Sequence, residues 1–184
     1  MRYRNLGNSE LEVSVIGLGT MTWGSQNTQE QAFQQMDYAL EQGITLFDTA
    51  EMYAVPPTAQ TCGKTETIIG NWFAARGTRQ QVVLASKVTG PGIDWIRDGK
   101  ARIDRQNIEA AVNDSLRRLQ TDYIDLYQLH WPNRGSYHFG QMWDYAPEFD
   151  PQAERDCFLE TLHTLNDLIH SGKIRQVGVS NETS

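Results

Sequence analysis

TQEQAFQQMDYALEQGITLFD, residues 28–48, holds the pattern that decides the fold. Thr28 stands three residues before Gln31, the spacing of a capping box, in which two side chains satisfy free backbone donors at a helix start. Ala32, Phe33, Met36, Ala39 and Leu40 then recur at helical spacing and mark one apolar face. Gly43 supplies the stop, because it enters the left-handed region without a side-chain clash. Ile44 to Asp48 follows at once as a strand that ends on an aspartate. Helix, glycine and strand in this order are the second half of a βαβ unit, which predicts a parallel sheet.

The same rhythm runs outward in both directions. Upstream, Val15-Ile16-Gly17-Leu18-Gly19 reads as the first strand of the series. Before it, Arg2 to Leu6 and Leu11 to Ser14 flank Gly7-Asn8-Ser9 and predict a small hairpin that caps one end. Downstream, Lys64 to Arg76 is a helix with Ile68, Ile69, Trp72 and Phe73 inward and Gly77 as terminator. Gly70 weakens it by about 1 kcal/mol against alanine. Gln81 to Lys87 is the third strand, Asp104 caps a helix carrying Ile108, Ala111, Val112, Ser115, Leu116 and Leu119, and Ile124 to Gln128 is the fourth strand. A loop over 132–152 precedes a helix from about Asp156 to Ser171 with Phe158, Leu159, Leu162, Leu165 and Ile169 on one side, and Ile174 to Val179 gives the fifth strand.

Composition excludes several classes. The 184 residues are 39% hydrophobic and 21% charged, an ordinary globular profile. Sixteen Lys and Arg against 23 Asp and Glu leave a formal charge of −7, which repels nucleic acid. No apolar run approaches the ~18 residues of a membrane span, and nothing after Met1 resembles a signal peptide, so a cytoplasmic location is expected. Cys62 and Cys157 are far apart and read as free thiols, and His130, His138, His163 and His170 form no metal-ligand pattern.

Five parallel strands with four helices do not make a finished closed barrel, whose eight units need about 250 residues, so an open doubly wound sheet is the structural reading of the pattern by itself. A doubly wound sheet normally carries G-x-G-x-x-G in its first turn, and Gly17-Leu18-Gly19 supplies only the first two glycines. The polar residues at the strand ends are more informative. Asp48, Tyr53, Lys87 and His130 stand where strands two, three and four pass into their loops, and in a parallel α/β fold those ends converge on one face. Taken singly, each has a structural explanation, as a turn, a packed ring, a strand end or a core histidine. Together they suit one chemistry. A phenol is a poor proton donor at neutral pH until a cation beside it stabilises the phenolate, and an aspartate compensates and fixes that cation. A neutral histidine can hold a carbonyl oxygen in line with the phenol. None of these groups carries a hydride, so a nicotinamide cofactor is implied.

These residues sit in stretches that resemble the aldo-keto reductase family. The matching segments are Gly17-Leu18-Gly19-Thr20-Met21 with Trp23, Phe47-Asp48-Thr49-Ala50-Glu51-Met52-Tyr53, Leu84-Ala85-Ser86-Lys87, Asp122 to Trp131, and Gly172 to Asn181. Glu51-Met52-Tyr53-Ala54-Val55-Pro56-Pro57 is similar to the bacterial Tas-type branch. The resemblance covers nearly the whole chain. It implies a (β/α)8 TIM barrel with an N-terminal hairpin, NADPH as cofactor, and the tetrad Asp48, Tyr53, Lys87 and His130 with Tyr53 as general acid. It further implies that Gly19, Thr20 and Met21 lie beside the nicotinamide and that Ser180 and Asn181 bind its carboxamide. Trp23 and Trp131 are implied at the substrate mouth. The resemblance also implies a small aldehyde or ketone as substrate.

The family's strands six to eight, with its aromatic on the nicotinamide and its adenosine-phosphate loops, have no counterpart after Ser184. The expectation is therefore that residues 1–184 are the N-terminal part of one barrel domain, weakly active by themselves and prone to self-association through open sheet edges. Tyr137, Phe139, Trp143, Tyr145 and Phe149 beside Trp131 suit either a pocket lining or a packed excursion. The alternative function, from another class, is a non-catalytic barrel serving as a partner-binding or redox-sensing subunit.

Overall fold

In a computed structural model, which describes residues 1–134 and 150–182, the chain opens with a hairpin of β1 (Tyr3–Asn5) and β2 (Glu12–Ser14). The hairpin caps the start of the strand that ends on Asp48. Tyr3 donates its hydroxyl proton to the Gly43 carbonyl at 2.9 Å, and Ser14 Oγ accepts from the Thr45 N–H at 2.9 Å.

The remaining elements alternate: β3 (Gly17–Gly19), α1 (Gln29–Glu41), β4 (Leu46–Asp48), α2 (Lys64–Arg76), β5 (Val83–Val88), α3 (Arg105–Leu119), β6 (Ile124–Leu129), α4 (Pro151–His170) and β7 (Ile174–Val179). The caps expected from sequence form. Gln31 N–H donates to Thr28 Oγ1 and Thr28 N–H to Gln31 Oε1, completing the capping box, and Asn107 N–H donates to the Asp104 carboxylate at 2.9 Å. Gly43 and Gly77 close their helices with φ of +77° and +65°.

All five strands of the main sheet are parallel, in the order β3-β4-β5-β6-β7. Spatial order follows chain order without reversal, and α1 packs on α2, α2 on α3 and α3 on α4. The sheet therefore lacks the reversal point of a doubly wound fold and has the winding of a barrel wall. The barrel is incomplete, with β3 and β7 at its two edges. The core fills the layer between sheet and helices, where Phe47, Leu84 and Tyr127 from the strands meet Met36, Ile69, Trp72, Ile108 and Val112 from the helices. Among the described residues no helix is long and apolar enough to cross a membrane.

Helix α4 departs from its sequence reading in two ways. It begins at Pro151 rather than near Asp156, because Asp150 caps it by accepting from the N–H groups of Gln152 and Ala153, and proline fits the first helical turn. Its buried face is also rotated. Phe158, Leu159 and Leu162 are exposed, and the helix rests on Thr161, Thr164, Leu165 and Leu168. Thr161 and Thr164 pass unnoticed as core because each satisfies its hydroxyl within the helix, on the carbonyls of Cys157 and Glu160.

Gly70 is explained by packing. A Cβ there would run into the Arg118 carbonyl, so the glycine sets how closely α2 approaches α3. In an exposed helix, glycine to alanine gains up to about 1 kcal/mol. Here Gly70→Ala is expected to lose about 1–3 kcal/mol through overpacking, read as a lower urea midpoint. A midpoint raised by the substitution would show that the helices have room to part.

Candidate active site

Strand β4 ends at Asp48, but its hydrogen-bond ladder continues. Thr49 N–H donates to the Ala85 carbonyl at 2.9 Å and Glu51 N–H to the Lys87 carbonyl at 3.2 Å, so the segment after β4 is held against β5. The β5 register turns Lys87 away from the helix layer, into which its neighbour Ser86 points to meet Glu66 of α2 at 2.6 Å. Lys87 is buried, and its Nζ donates to Asp48 Oδ2 at 2.8 Å and to the Thr49 carbonyl at 2.7 Å. Burial pulls the ammonium below its usual range, and the Asp48 carboxylate opposes that only in part.

Beyond this pair the chain brings Tyr53 over the lysine, with Lys87 Nζ 5.0 Å from the ring centroid. The Tyr53 ring meets His130 edge-on, at 5.8 Å between centroids and 77° between planes. His130 follows β6 and is anchored by its own N–H on the Val88 carbonyl at 3.1 Å. The structure thus brings Asp48, Tyr53, Lys87 and His130 together from three adjacent strand ends.

Two of these groups are strongly perturbed. Burial, and then the Lys87 charge, lower His130 to about 3, so the imidazole is neutral at physiological pH. Its Nδ1 is buried without a partner among the described residues. Burial, and then the Asp48 charge, push the Tyr53 phenol up to about 12. This differs from the sequence-based expectation that a neighbouring cation eases phenol ionisation. The lysine spends its hydrogen bonds on Asp48 and Thr49, and the phenol is left with burial as its main influence.

The candidate cofactor residues lie at the two sheet edges. Gly19 is level with Asp48 in the ladder, and open space stands where its Cβ would be. Buried Thr20 donates its hydroxyl proton to the Asp48 carbonyl at 2.8 Å, while Met21 is exposed and accepts from the Val55 N–H through its carbonyl. Across the sheet, Ser180 N–H donates to the Leu129 carbonyl at 2.8 Å, and Asn181 Nδ2 donates to the His130 carbonyl at 2.8 Å.

The two tryptophans part company. The Trp131 ring lies 4.8 Å from that of His130, with its indole N–H on the Pro91 carbonyl. Trp23 does not reach the mouth. It is 1% exposed within the main core and donates its indole N–H to Gln35 of α1. Of the aromatic-rich stretch expected beside Trp131, Tyr137, Phe139, Trp143, Tyr145 and Phe149 lie outside the described residues, as does His138.

Sequence reasoning missed a second polar layer beneath the site. Glu51 is buried and bound through both carboxylate oxygens by Arg97 at 2.9 Å each. Glu66, with no exposed surface, accepts from Ser86 and from Arg118 at 2.7 Å. The available signal for Glu51 was its place between Ala50 and Met52, a strand-end run with no solvent side.

Residues 15–184 match the model of the Aldo/keto reductase family. Over the whole chain, the sequence is 50% identical to the Escherichia coli protein named Protein tas, of which it covers 53%. It is 36% identical to the aldo-keto reductase YhdN of Bacillus subtilis, with 98% of this chain and 47% of that protein aligned. Among solved structures, the holo form of aldo-keto reductase AKR11C1 from Bacillus halodurans superposes with a TM-score of 0.73 at 35% identity, over 98% of this chain and 50% of that one. The chain spans about half the length of these relatives. The sheet winding, the strand-end cluster and these matches agree, and the chain belongs to the aldo/keto reductase family.

Proposed function

We propose that the chain is the N-terminal part of a single aldo-keto reductase barrel domain, and that this domain reduces aldehyde and ketone carbonyls to alcohols with NADPH. The observation that carries this reading is the ion pair of buried Lys87 with half-exposed Asp48 lying under the Tyr53 ring, with a neutral His130 at the ring's edge. The four groups share one face, as carbonyl protonation requires.

The donor set at the sheet edges suits a nicotinamide. Ser180 and Asn181 offer a hydroxyl and an amide to a carboxamide, and Gly19 leaves open space beside the Asp48 strand end. Gly19, Thr20 and Met21 on one side and Ser180 and Asn181 on the other would hold it. When bound, the cofactor supplies the hydride that the side chains lack.

The protein's own groups then handle the oxygen. With a phenol near 12, Tyr53 keeps its proton until charge develops on the carbonyl oxygen, and then donates it as the C–O double bond becomes single. The Lys87 ammonium, 5.0 Å from the ring centroid and held by Asp48, is the cation placed to offset in part the burial that opposes the phenolate left behind. A neutral imidazole can hydrogen-bond the carbonyl oxygen without carrying a charge of its own. Trp131 beside His130 would form part of the substrate wall. By the same reading, residues 1–184 alone turn over little substrate.

In the full-length product of the gene, Tyr53→Phe is expected to lower kcat for aldehyde-dependent NADPH oxidation by roughly 10²–10⁴-fold, with NADPH still quenching tryptophan fluorescence. An undiminished rate removes Tyr53 from the mechanism. No turnover across an aldehyde and ketone panel would favour the non-catalytic reading.

His130 supplies a pH test. Its folded value of about 3 lies below the ordinary 6.5, so on acidification the unfolded chain takes up this proton first. The associated stability is present above 6.5 and is lost as pH falls toward 3. Urea midpoints measured across that window should fall less steeply in His130→Gln than in the parent, and the parent's His130 ring resonances should stay put down to about pH 5. A resonance that titrates near neutrality would contradict the neutral assignment.

A further inference from the structure

The loop that carries Tyr53 is held on its far side by the Ala54 N–H on the Thr61 carbonyl and the Val55 N–H on the Met21 carbonyl, and on the β5 side by Glu51. Glu51, two positions before the phenol, has every hydrogen-bonding atom engaged. Its N–H donates to the Lys87 carbonyl at 3.2 Å, and its own carbonyl accepts from Cys62 Sγ at 3.4 Å. Carboxylate Oε1 accepts from the Thr89 N–H at 2.5 Å and from Arg97 Nη2 at 2.9 Å, and Oε2 accepts from Arg97 Nη1 at 2.9 Å. The carboxylate therefore serves as an extra rung of the β4–β5 ladder, made by a side chain beyond the point where backbone pairing stops.

Arg97 is itself fixed. Its Nε donates to Asn107 Oδ1 at 2.6 Å, and Asn107 is tied to the α3 cap Asp104 through both its side chain and its N–H. Arg97 sits at φ +50° and Asp98 at φ +55°, a sparsely populated region for residues other than glycine. The β5–α3 connection thus reaches back with its arginine instead of following the relaxed path. Around the clamp, Ala50, Met52, Ile96, Ala101 and Trp131 form a small apolar cluster against which Tyr53 packs.

We infer that Glu51, locked by Arg97, is a positioning residue for Tyr53: it fixes the height of the phenol above Lys87 by pinning the β5 side of the loop to residues 87 and 89. This rests on the proposed reductase reading for its kinetic consequence but not for its geometric one. Glu51 touches no reacting atom. Its removal leaves the tetrad present and displaced, and a misplacement of about 1 Å at a reacting group costs up to about 100-fold in rate.

Two readouts on the full-length gene product separate positioning from a merely structural ion pair. The first needs no turnover. The Tyr53 ring faces the His130 ring edge-on, so the His130 proton resonance, assigned by its loss in His130→Gln, reports where the phenol sits. Tyr53→Leu sets the shift when the ring is gone. Glu51→Gln, which keeps the shape but turns an amide donor toward Arg97, should move the His130 resonance toward that value and leave those of His163 and His170 in place. The second readout is kinetic. Glu51→Gln and Arg97→Gln should each lower kcat about 10- to 100-fold with little change in KM, and the double variant should be no slower than the slower single.

A His130 resonance unmoved in a folded Glu51→Gln protein overturns the proposal, even if thermal stability has dropped. So do single-variant losses that multiply in the double variant. A parent without carbonyl reductase activity overturns the proposed function instead, and the resonance comparison then decides the clamp by itself.

Discussion

The parallel register between β4 and β5 is the constraint on which the site depends. Pairing Asp48 with Ala85 sends Leu84 and Ser86 into the helix layer and Lys87 to the other face, beside the end of β4. A slip of one residue would exchange Ser86 for Lys87, setting an ammonium among Glu66 and the helix core and a short hydroxyl opposite Asp48. The register is protected from both sides. The apolar face carries Phe47 and Leu84 into the core, and the ladder runs on past β4 through Thr49, Glu51 and finally the Glu51 carboxylate. Much of the chemistry of this face is thus fixed by backbone pairing rather than by side-chain preference.

The parts legible in the sequence are those governed by local rules. Helix α2 begins and ends where its apolar spacing and Gly77 place it, and the capping box at Thr28 and the cap at Asp104 are visible three residues ahead. Asp48, Lys87 and His130 are legible as polar residues closing strand runs, whereas Tyr53 lies past the end of β4 and is legible only through the motif that joins it to Asp48. What escaped depends on distant partners. Arg97 lies in a loop without periodic pattern, and nothing near it in sequence pairs it with Glu51. The buried face of α4 was misjudged because hydropathy scores Thr161 and Thr164 as polar, whereas hydroxyls bonded to their own helix are nearly apolar outward. Trp23 illustrates the converse. Its position in a motif suggests the mouth, but a neighbouring helix offering Gln35 as acceptor draws the indole inward.

The choice of cation divides the buried ion pairs by purpose. Glu51, Glu66 and Asp125 are all held by arginine, through Arg97, Arg118, and the pair Arg79 and Arg175. For Arg97 and Arg118, burial alone would lower the guanidinium, but Glu51 and Glu66 outweigh it and the net shift is upward. A forked guanidinium fixes direction as well as charge. Lys87 is different: burial outweighs Asp48, and the net shift is downward. An ammonium is a compact charge whose proton affinity responds to its surroundings, so changes at the mouth are felt there and not in the arginine pairs. The Asp48 side chain is 41% exposed against 6% for Lys87, so the carboxylate side of the pair is the one open to water. Excluding that water strengthens the Asp48–Lys87 attraction through the lower local dielectric, while the arginine-held carboxylates beneath, already dry, keep the frame unchanged.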